Sequence, residues 1–278
     1  MVLLVVLACT QPDPFTIRHA HRGAHTDPGD DTGLVDTSDD TGTDDTAPDD
    51  TAVDSTDTQD TGDADARLYG VDVSGWDPGI AWHSVAADGI AFAFMKSTEG
   101  TYYESDEFTS QYDGAAENGI VRGAYHFAIP DDSDGATQAD YFIDHGGGWS
   151  PDDITLPGAL DIEYNPYGST CYDLTKSEMA AWIADFNDEY DARTGRYPVV
   201  YSTANWWDSC VGSGSFGRDN PLWVAHYDVS APSLPDGWSD YTFWQYSSTE
   251  TVSGIPGGVD ANVFKGDIED LVQFANDG

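Results

Sequence analysis

Apolar and polar positions follow two different periods along the chain beyond residue 67. Short apolar runs fall at 68–76, 90–98, 121–129, 158–164, 197–203, 221–227, 241–247 and 259–264. Several hold apolar residues at consecutive positions, as parallel strands buried on both faces do. Helical spacing fills the stretches between them. The clearest helix follows Thr175, which forms a capping-box pair with Glu178. Met179, Trp182, Ile183, Phe186 and Tyr190 then share one face, and Gly195, with Pro198 behind it, stops the helix. Eight strands alternating with helices in about 210 residues predict an α/β fold, a β/α barrel. Little helical text separates the last strands. A modified, partly irregular TIM-like barrel is therefore expected, open to irregularity on that side.

Residues 1–66 read differently. The start, "MVLLVVLAC", is apolar, too short to span a membrane, and lacks a basic n-region. Small Ala8 before Cys9 resembles a bacterial lipoprotein signal, in which the cysteine carries the lipid; an ordinary signal peptide is the other reading. Both predict export, to a compartment that permits disulfides. With Cys9 lipidated, Cys171 and Cys210 remain as a pair. The segment that follows holds fifteen Asp between 27 and 65 and no Lys, Arg or Glu, with "DTG" at 31–33, 40–42 and 60–62. It has too little apolar surface to offset the entropy of folding, which predicts a disordered acidic tail. Its Asp clusters contain no complete EF-hand loop, and His19, His21 and His25 are read as incidental. The expected division is a signal segment at 1–9, a linker at 10–66 and one folded domain at 67–278.

The formal charge is −41, from 51 acids and 10 bases. Sixteen acids and two arginines precede residue 67, leaving 35 acids against eight bases in the domain. Phosphate contacts need a basic patch, so nucleic-acid binding is excluded. Such a surface repels itself, and salt screens the repulsion; a saline habitat and plain solubility both account for it.

The stretch "GALDIEYNP" at 158–166 carries the chemistry. Strand residues two apart share a face, so Asp161 and Glu163 project together. They sit at the C-terminal end, where barrel enzymes place their sites. Burying unpaired charge is expensive, and eight bases leave few partners. Asp72 in "YGVDVSGW" and Asp260 in "GGVDANVF" hold comparable positions. Four converging carboxyl groups would keep at least one protonated near neutral pH, which glycosidic bond cleavage requires. Aromatics cluster at the same strand ends: Tyr125, His126 and Phe127, then Tyr164, Tyr201, Trp206, Trp207, Trp223, Tyr227, Trp244 and Tyr246. Aromatic walls suit the C–H faces of sugars, although core packing accounts for any one of them. Gln245 can donate or accept at a sugar hydroxyl or acetamide. His83, His126, His145 and His226 show no zinc spacing, and no Gly-rich phosphate loop precedes a lysine. No metal or cofactor is expected.

The motifs "YGVDVSGWD", "MKSTEG", "GAYHF", "ALDIE", "YPVVYS", "PLWVAHY" and "FWQYSS…VDANVF" occur in the order that resembles glycoside hydrolase family 25, the Chalaropsis-type lysozymes or N-acetylmuramidases, over about 68–275. The resemblance implies a modified β/α barrel that needs no metal. It implies cleavage of the β-1,4 bond between N-acetylmuramic acid and N-acetylglucosamine in peptidoglycan. Glu163 would be the general acid/base, Asp161 its assistant, and Asp72 and Asp260 the rest of the acidic site. Tyr125, Tyr201, Trp244 and Tyr246 would contact substrate, with His126, Tyr164, Trp223 and Gln245 as further candidates. "CYDLTKSEM…WWDSC" resembles a subgroup in which Cys171 and Cys210 are bridged. The expected partner is the peptidoglycan glycan strand, met by a monomer held to a membrane through a lipid on Cys9. Two other readings stay open: a non-catalytic wall-binding lipoprotein on the same barrel, and a hydrolase of chitin-type oligosaccharides. A pure binder gains nothing from a costly acidic cluster.

Overall fold

The computed structural model describes residues 67–212 and 214–277. Cys9, the signal segment and the 10–66 linker lie outside them. Each of the eight apolar runs becomes a strand, and a ninth is added. The strands are β1 (Arg67–Val73), β2 (Ile90–Glu99), β3 (Tyr103–Glu104), β4 (Val121–Phe127), β5 (Ala159–Asp161), β6 (Val199–Ser202), β7 (Leu222–Ala225), β8 (Phe243–Glu250) and β9 (Val259–Lys265). Eight of them form a ring in the order β1-β9-β8-β7-β6-β5-β4-β2, closed by pairing of β1 with β2. The ninth, β3, folds back antiparallel on the end of β2. Its two residues are too few to show as a periodic run.

Around the ring, β9 alone runs antiparallel to its neighbours β1 and β8. The connection from Glu250 to Val259 is the physical reason, because a parallel crossover needs about a dozen residues or more. This reversal is the irregularity expected among the later strands. The helices are α1 (Trp82–Ala87), α2 (Phe108–Glu117), α3 (Gly135–Phe142), α4 (Lys176–Thr194), α5 (Ala204–Cys210) and α6 (Ile268–Asn276).

Strand alternation sorts the core into two layers. Inward residues Phe92, Phe94, Trp223, Phe243 and Phe264 fill the barrel, with Phe94 stacked on Trp223 at a centroid distance of 4.6 Å. Gly70 makes room for them, since a Cβ there would lie 2.4 Å from the Phe92 ring. Outward residues meet the helices. Val71, Val73, Ala93 and Met95 share one cluster with Trp82 and Val85 of α1 and Ala115 of α2. Leu160, Ile162 and Val200 pack with α3, α4 and α5. On the side of Leu222 and Val224, Leu234, Trp238 and Tyr241 of the 226–242 connection do the work of a helix.

The longest helix, α4, frames the strand that carries the acids. Both bonds of the Thr175–Glu178 capping box form, and Gly195 closes the helix in the left-handed conformation at φ 80°. Met179, Trp182, Ile183, Phe186 and Tyr190 are all buried. From this face the Tyr190 hydroxyl donates to Gly147 O at 2.8 Å and accepts from Gly158 N–H at 2.7 Å. It thereby fixes the chain just before β5. Replacing Tyr190 by Phe strands both backbone groups in the core, a loss of about 1–3 kcal/mol. Urea unfolding of the Tyr190→Phe variant should show that loss; unchanged stability would mean that these bonds contribute nothing to the frame.

Candidate active site

The mouth of the barrel is assembled from inward positions at the strand ends. Asp72 lies one residue from the end of β1, Lys96 on β2, Tyr125 and Phe127 on β4, Asp161 ends β5, Tyr201 lies on β6, Trp223 on β7, Gln245 on β8 and Asp260 on β9. All of these, with Ser74, Trp76 and Glu163, line one open cleft of about 180 Å³. The reversal of β9 brings its N-terminal end to this mouth, and Asp260 pairs in register with Asp72. Ile162 N–H bonds Tyr201 O beyond the end of β5. The alternation therefore continues, Ile162 faces the outer core, and Glu163 follows Asp161 into the cleft.

Hydrogen bonding separates the four acids. Asp72 Oδ2 accepts from Gln245 Nε2 at 2.7 Å and from Asn262 Nδ2 at 2.8 Å. Gln245 is held in turn, because its Oε1 accepts from Tyr201 OH at 2.8 Å and from Tyr227 OH at 2.6 Å. Trp223 Nε1 donates to Asn262 Oδ1 at 2.7 Å. Asp161 is only 6 % exposed, and its Oδ1 has no hydrogen-bond partner among the described residues.

Burial and mutual repulsion raise all four carboxyl groups. Burial lifts Asp72, the two amide donors oppose the lift, and it titrates at about 6. Burial and the Asp72 charge push Glu163 up to about 7. Burial, then Asp72, Asp77 and Glu163, push Asp260 up to about 8. Asp161 is raised well above the ordinary range by burial and then by Glu163, with Lys96 in opposition. Among the described residues, Lys96 is the sole lysine or arginine lining the cleft. It pairs with Glu99 and lies 4.8 Å from the Phe127 ring centroid.

Several residues singled out in the sequence lie elsewhere, and for those on strands the alternation of faces is the reason. His126 sits between inward Tyr125 and Phe127, so it points to the helical layer. There it is fully buried, bonded to Thr98 Oγ1 at 2.8 Å and Gln138 Oε1 at 3.0 Å, and burial drives its pKa down to about 4. Trp244 sits between inward Phe243 and Gln245; it packs with Val224 and Val263 and donates to His226 O. Tyr246 joins it on the outer side, edge-on to Tyr69. Trp206 and Trp207 are fully buried in the outer core. Tyr164 is 46 % exposed and does not line the cleft. Cys171 and Cys210 are bridged, with Cα atoms 5.3 Å apart. Lys96, Trp76 and Asn262 also belong to this region, and the sequence patterns above point to none of them. Lys96 continues the inward series Phe92, Phe94, and Asn262 lies two residues from Asp260, so the same spacing rule reaches both.

Cleavage of a glycosidic bond asks for one carboxyl that holds its proton beside another that gives it up. Neighbouring acids with pKa values spread upward from about 6, at the C-terminal mouth of a β/α barrel, place the chain among the barrel glycoside hydrolases. The family model described as "Glycosyl hydrolases family 25" matches residues 71–255, and the chain belongs to that family. It is similar to lysozyme M1 of Streptomyces globisporus, 51% identical over 75% of this chain and 71% of that protein. It is 44% identical to the N,O-diacetylmuramidase of Chalaropsis sp over 75% of this chain and 99% of that one. Its fold matches the crystal structure of the bacterial lysozyme from Streptomyces coelicolor with a TM-score of 0.74 at 51% identity, covering 75% of this chain and 97% of that chain.

The raised carboxyl groups make stability depend on pH. A carboxyl whose folded pKa exceeds its unfolded value, about 4 for Glu, binds its proton more tightly in the native state. Its stabilising contribution is complete below about 4 and is lost as pH rises through the folded value. For Glu163 that loss spans the interval up to about 7. Thermal unfolding of Glu163→Gln should therefore show a gain in Tm over the parent chain that is larger at pH 8 than at pH 4. An equal change at both pH values would remove Glu163 from the proton-linked set.

Proposed function

We propose that this domain is a muramidase that cuts the β-1,4 bond between N-acetylmuramic acid and N-acetylglucosamine, with Glu163 as general acid and then general base. The observation that carries the roles is Glu163 itself: it opens into the cleft, titrates at about 7, and stands among three other acids. A general acid works best with a pKa near the operating pH. Protonated Glu163 donates to the glycosidic oxygen as the bond to C1 breaks.

The unpartnered Asp161 Oδ1 suits a donor on the substrate, and the acetamide N–H of the muramic acid residue is such a donor. With that bond made, the acetamide carbonyl oxygen attacks C1 and displaces the leaving sugar. Positive charge develops on the ring and the acetamide, and that charge favours the ionised form of Asp161. A carboxylate that is costly in the free enzyme is then stabilising where the charge appears. Water next attacks C1, Glu163 takes its proton, and the acetamide is restored. Asp72, fixed by Gln245 and Asn262, supplies standing negative charge that keeps the Glu163 proton in place.

The apolar start ending at Ala8–Cys9 supports export and a lipid on Cys9; residues 10–66 would then serve as a tether for an enzyme that acts on a polymer some distance from its anchor. Stable anchoring takes more than one acyl chain. In a bacterial host that lipidates such signals, Cys9→Ser in the full chain should move the protein from the membrane fraction to the soluble one; retention in the membrane would end the anchor reading.

The chemistry is tested on purified peptidoglycan, with chitin as the comparison. The parent chain should release fragments with muramic acid at the new reducing end, and kcat/KM should fall as pH rises above about 7 and Glu163 loses its proton. Glu163→Gln should lower the rate about 10²–10⁴-fold. Digestion by that variant at the parent rate would overturn the role of Glu163, and preference for chitin would overturn the substrate.

A further inference from the structure

Trp76 is 93 % exposed, yet it stands on a turn held by several hydrogen bonds. Asp77 N–H bonds Ser74 O at 3.0 Å. Ser74 N–H bonds Asp77 Oδ2 at 3.0 Å, and Trp76 N–H bonds Ser74 Oγ at 3.2 Å. From α2, the buried Gln111 Nε2 donates to both Ser74 O and Asp77 O, at 2.8 and 3.1 Å. Holding an indole in water on a fixed turn serves no packing purpose. Single exposed aromatics need no explanation, but this one lines the cleft and has neighbours. The Tyr103 hydroxyl lies against Gly75, where a Cβ would approach it to 3.1 Å. Lys96 is 5.4 Å from the Tyr103 ring centroid and pairs with Glu99.

Glu99 in turn ties Lys96 to two loops. Its Oε1 accepts from Tyr167 OH at 2.5 Å and from Tyr102 OH at 3.2 Å. Tyr167 belongs to the loop after β5 and is 68 % exposed; Tyr102 precedes β3 and is 59 % exposed. Burial raises the Glu99 carboxyl, but the bonds from Lys96, Tyr167 and Tyr102 outweigh it, and it titrates below its usual range. Glu99 is thus an ionised tether joining two loops that come from different strands.

We propose that Trp76, Tyr103 and Tyr167 form an aromatic shelf that binds the glycan strand beyond the bond being cut, with Glu99 as the positioning residue that holds Tyr167 in place. The proposal rests on the muramidase reading for the identity of the strand. A β-1,4-linked strand of N-acetylated sugars presents apolar C–H faces in succession, and flat rings on a fixed frame meet such faces at little ordering cost. The shelf is continuous with the cleft through Trp76, so a strand seated at Glu163 runs onto it. The domain therefore prefers long strands to short fragments.

Two measurements on the full chain separate this proposal from the catalytic one. The first is kinetics on long soluble strands and on the shortest fragment cleaved. Trp76→Ala and Tyr167→Ala should each raise KM on long strands about tenfold, equivalent to about 1.4 kcal/mol, while kcat on those strands stays within about twofold. The ratio of kcat/KM for long over short substrate should fall by a similar factor. Tyr167→Phe, which keeps the ring and loses the tether to Glu99, should give a smaller rise in KM. The second is calorimetric titration of long strands into Glu163→Gln, with and without Trp76→Ala, which reads binding without turnover. Wild-type KM in both alanine variants, together with equal affinity in the titration, overturns the shelf and leaves the hydrolase reading intact. Binding that depends on Trp76 in a chain that cleaves nothing keeps the shelf and overturns the hydrolase reading. A chain that neither binds nor cleaves the strands overturns both.

Discussion

Four carboxyl groups at one end of a barrel repel one another, and much of the surrounding structure exists to bear that repulsion. Asp72 receives two amide donors, and each donor is locked by a further group: Gln245 by two tyrosine hydroxyls, Asn262 by the Trp223 indole. Asp161 receives none on its buried oxygen. Lys96 opposes the rise of both Asp161 and Glu163. Unequal surroundings therefore divide the protons unequally among chemically similar groups. With equal donors for all four, repulsion would still hold back a proton, but nothing would fix which of the acids keeps it.

The frame that holds the carboxyl groups together is built from short connections. The eight-residue link before β9 forces that strand to run backwards, and the reversal sets Asp260 opposite Asp72. On the other side, the bridge between Cys171 and Cys210 spans a sequence separation of 39. It joins the loop after β5 to the end of α5, just beyond β6. Chain-entropy reasoning values such a closure at about 4 kcal/mol. Tyr190 fixes the entry to β5 and the disulfide restrains the exit, so the strand bearing Asp161 is held at both ends.

The eight ring strands were legible because each is an apolar run bounded by turn residues, and α4 was legible because its cap, face and stop agree. The pairing of Asp161 with Glu163 followed from period two alone. Its extension to Asp72 and Asp260 needed closure of the ring, which local pattern does not contain. The same period, applied to every strand, separates Gln245 from Trp244 and Tyr125 from His126. Counting aromatics at strand ends without asking which face they occupy mixes the cleft with the outer core. Tyr201 and Trp223 face inward by this rule, whereas Trp206 and Trp207 belong to a helix that follows β6. The hydrogen-bond hub at Gln245 was not legible, because its partners come from β1, β6 and the second residue after β7, far apart in sequence.

Charge economy links the cleft to the rest of the surface. The domain has only eight lysines and arginines, and most have a definite structural task. Arg193 bonds Asp140 and Asp144, Lys265 pairs with Asp240, Arg122 lies over Tyr112, and Arg196 lies over Phe274. Placing one of these few cations in the cleft, as Lys96, is therefore a significant allocation. The excess of surface acids adds a field of the same sign as the cluster, but the two respond differently to salt. Exposed charges more than about 10 Å apart are screened at 0.1 M ionic strength, whereas buried neighbours are screened far less. The proton distribution among Asp72, Asp161, Glu163 and Asp260 is thus a property of the buried mouth. Salt acts instead on the approach of a charged polymer to the acidic surface. An enzyme divided in this way keeps its chemistry constant while its surroundings change.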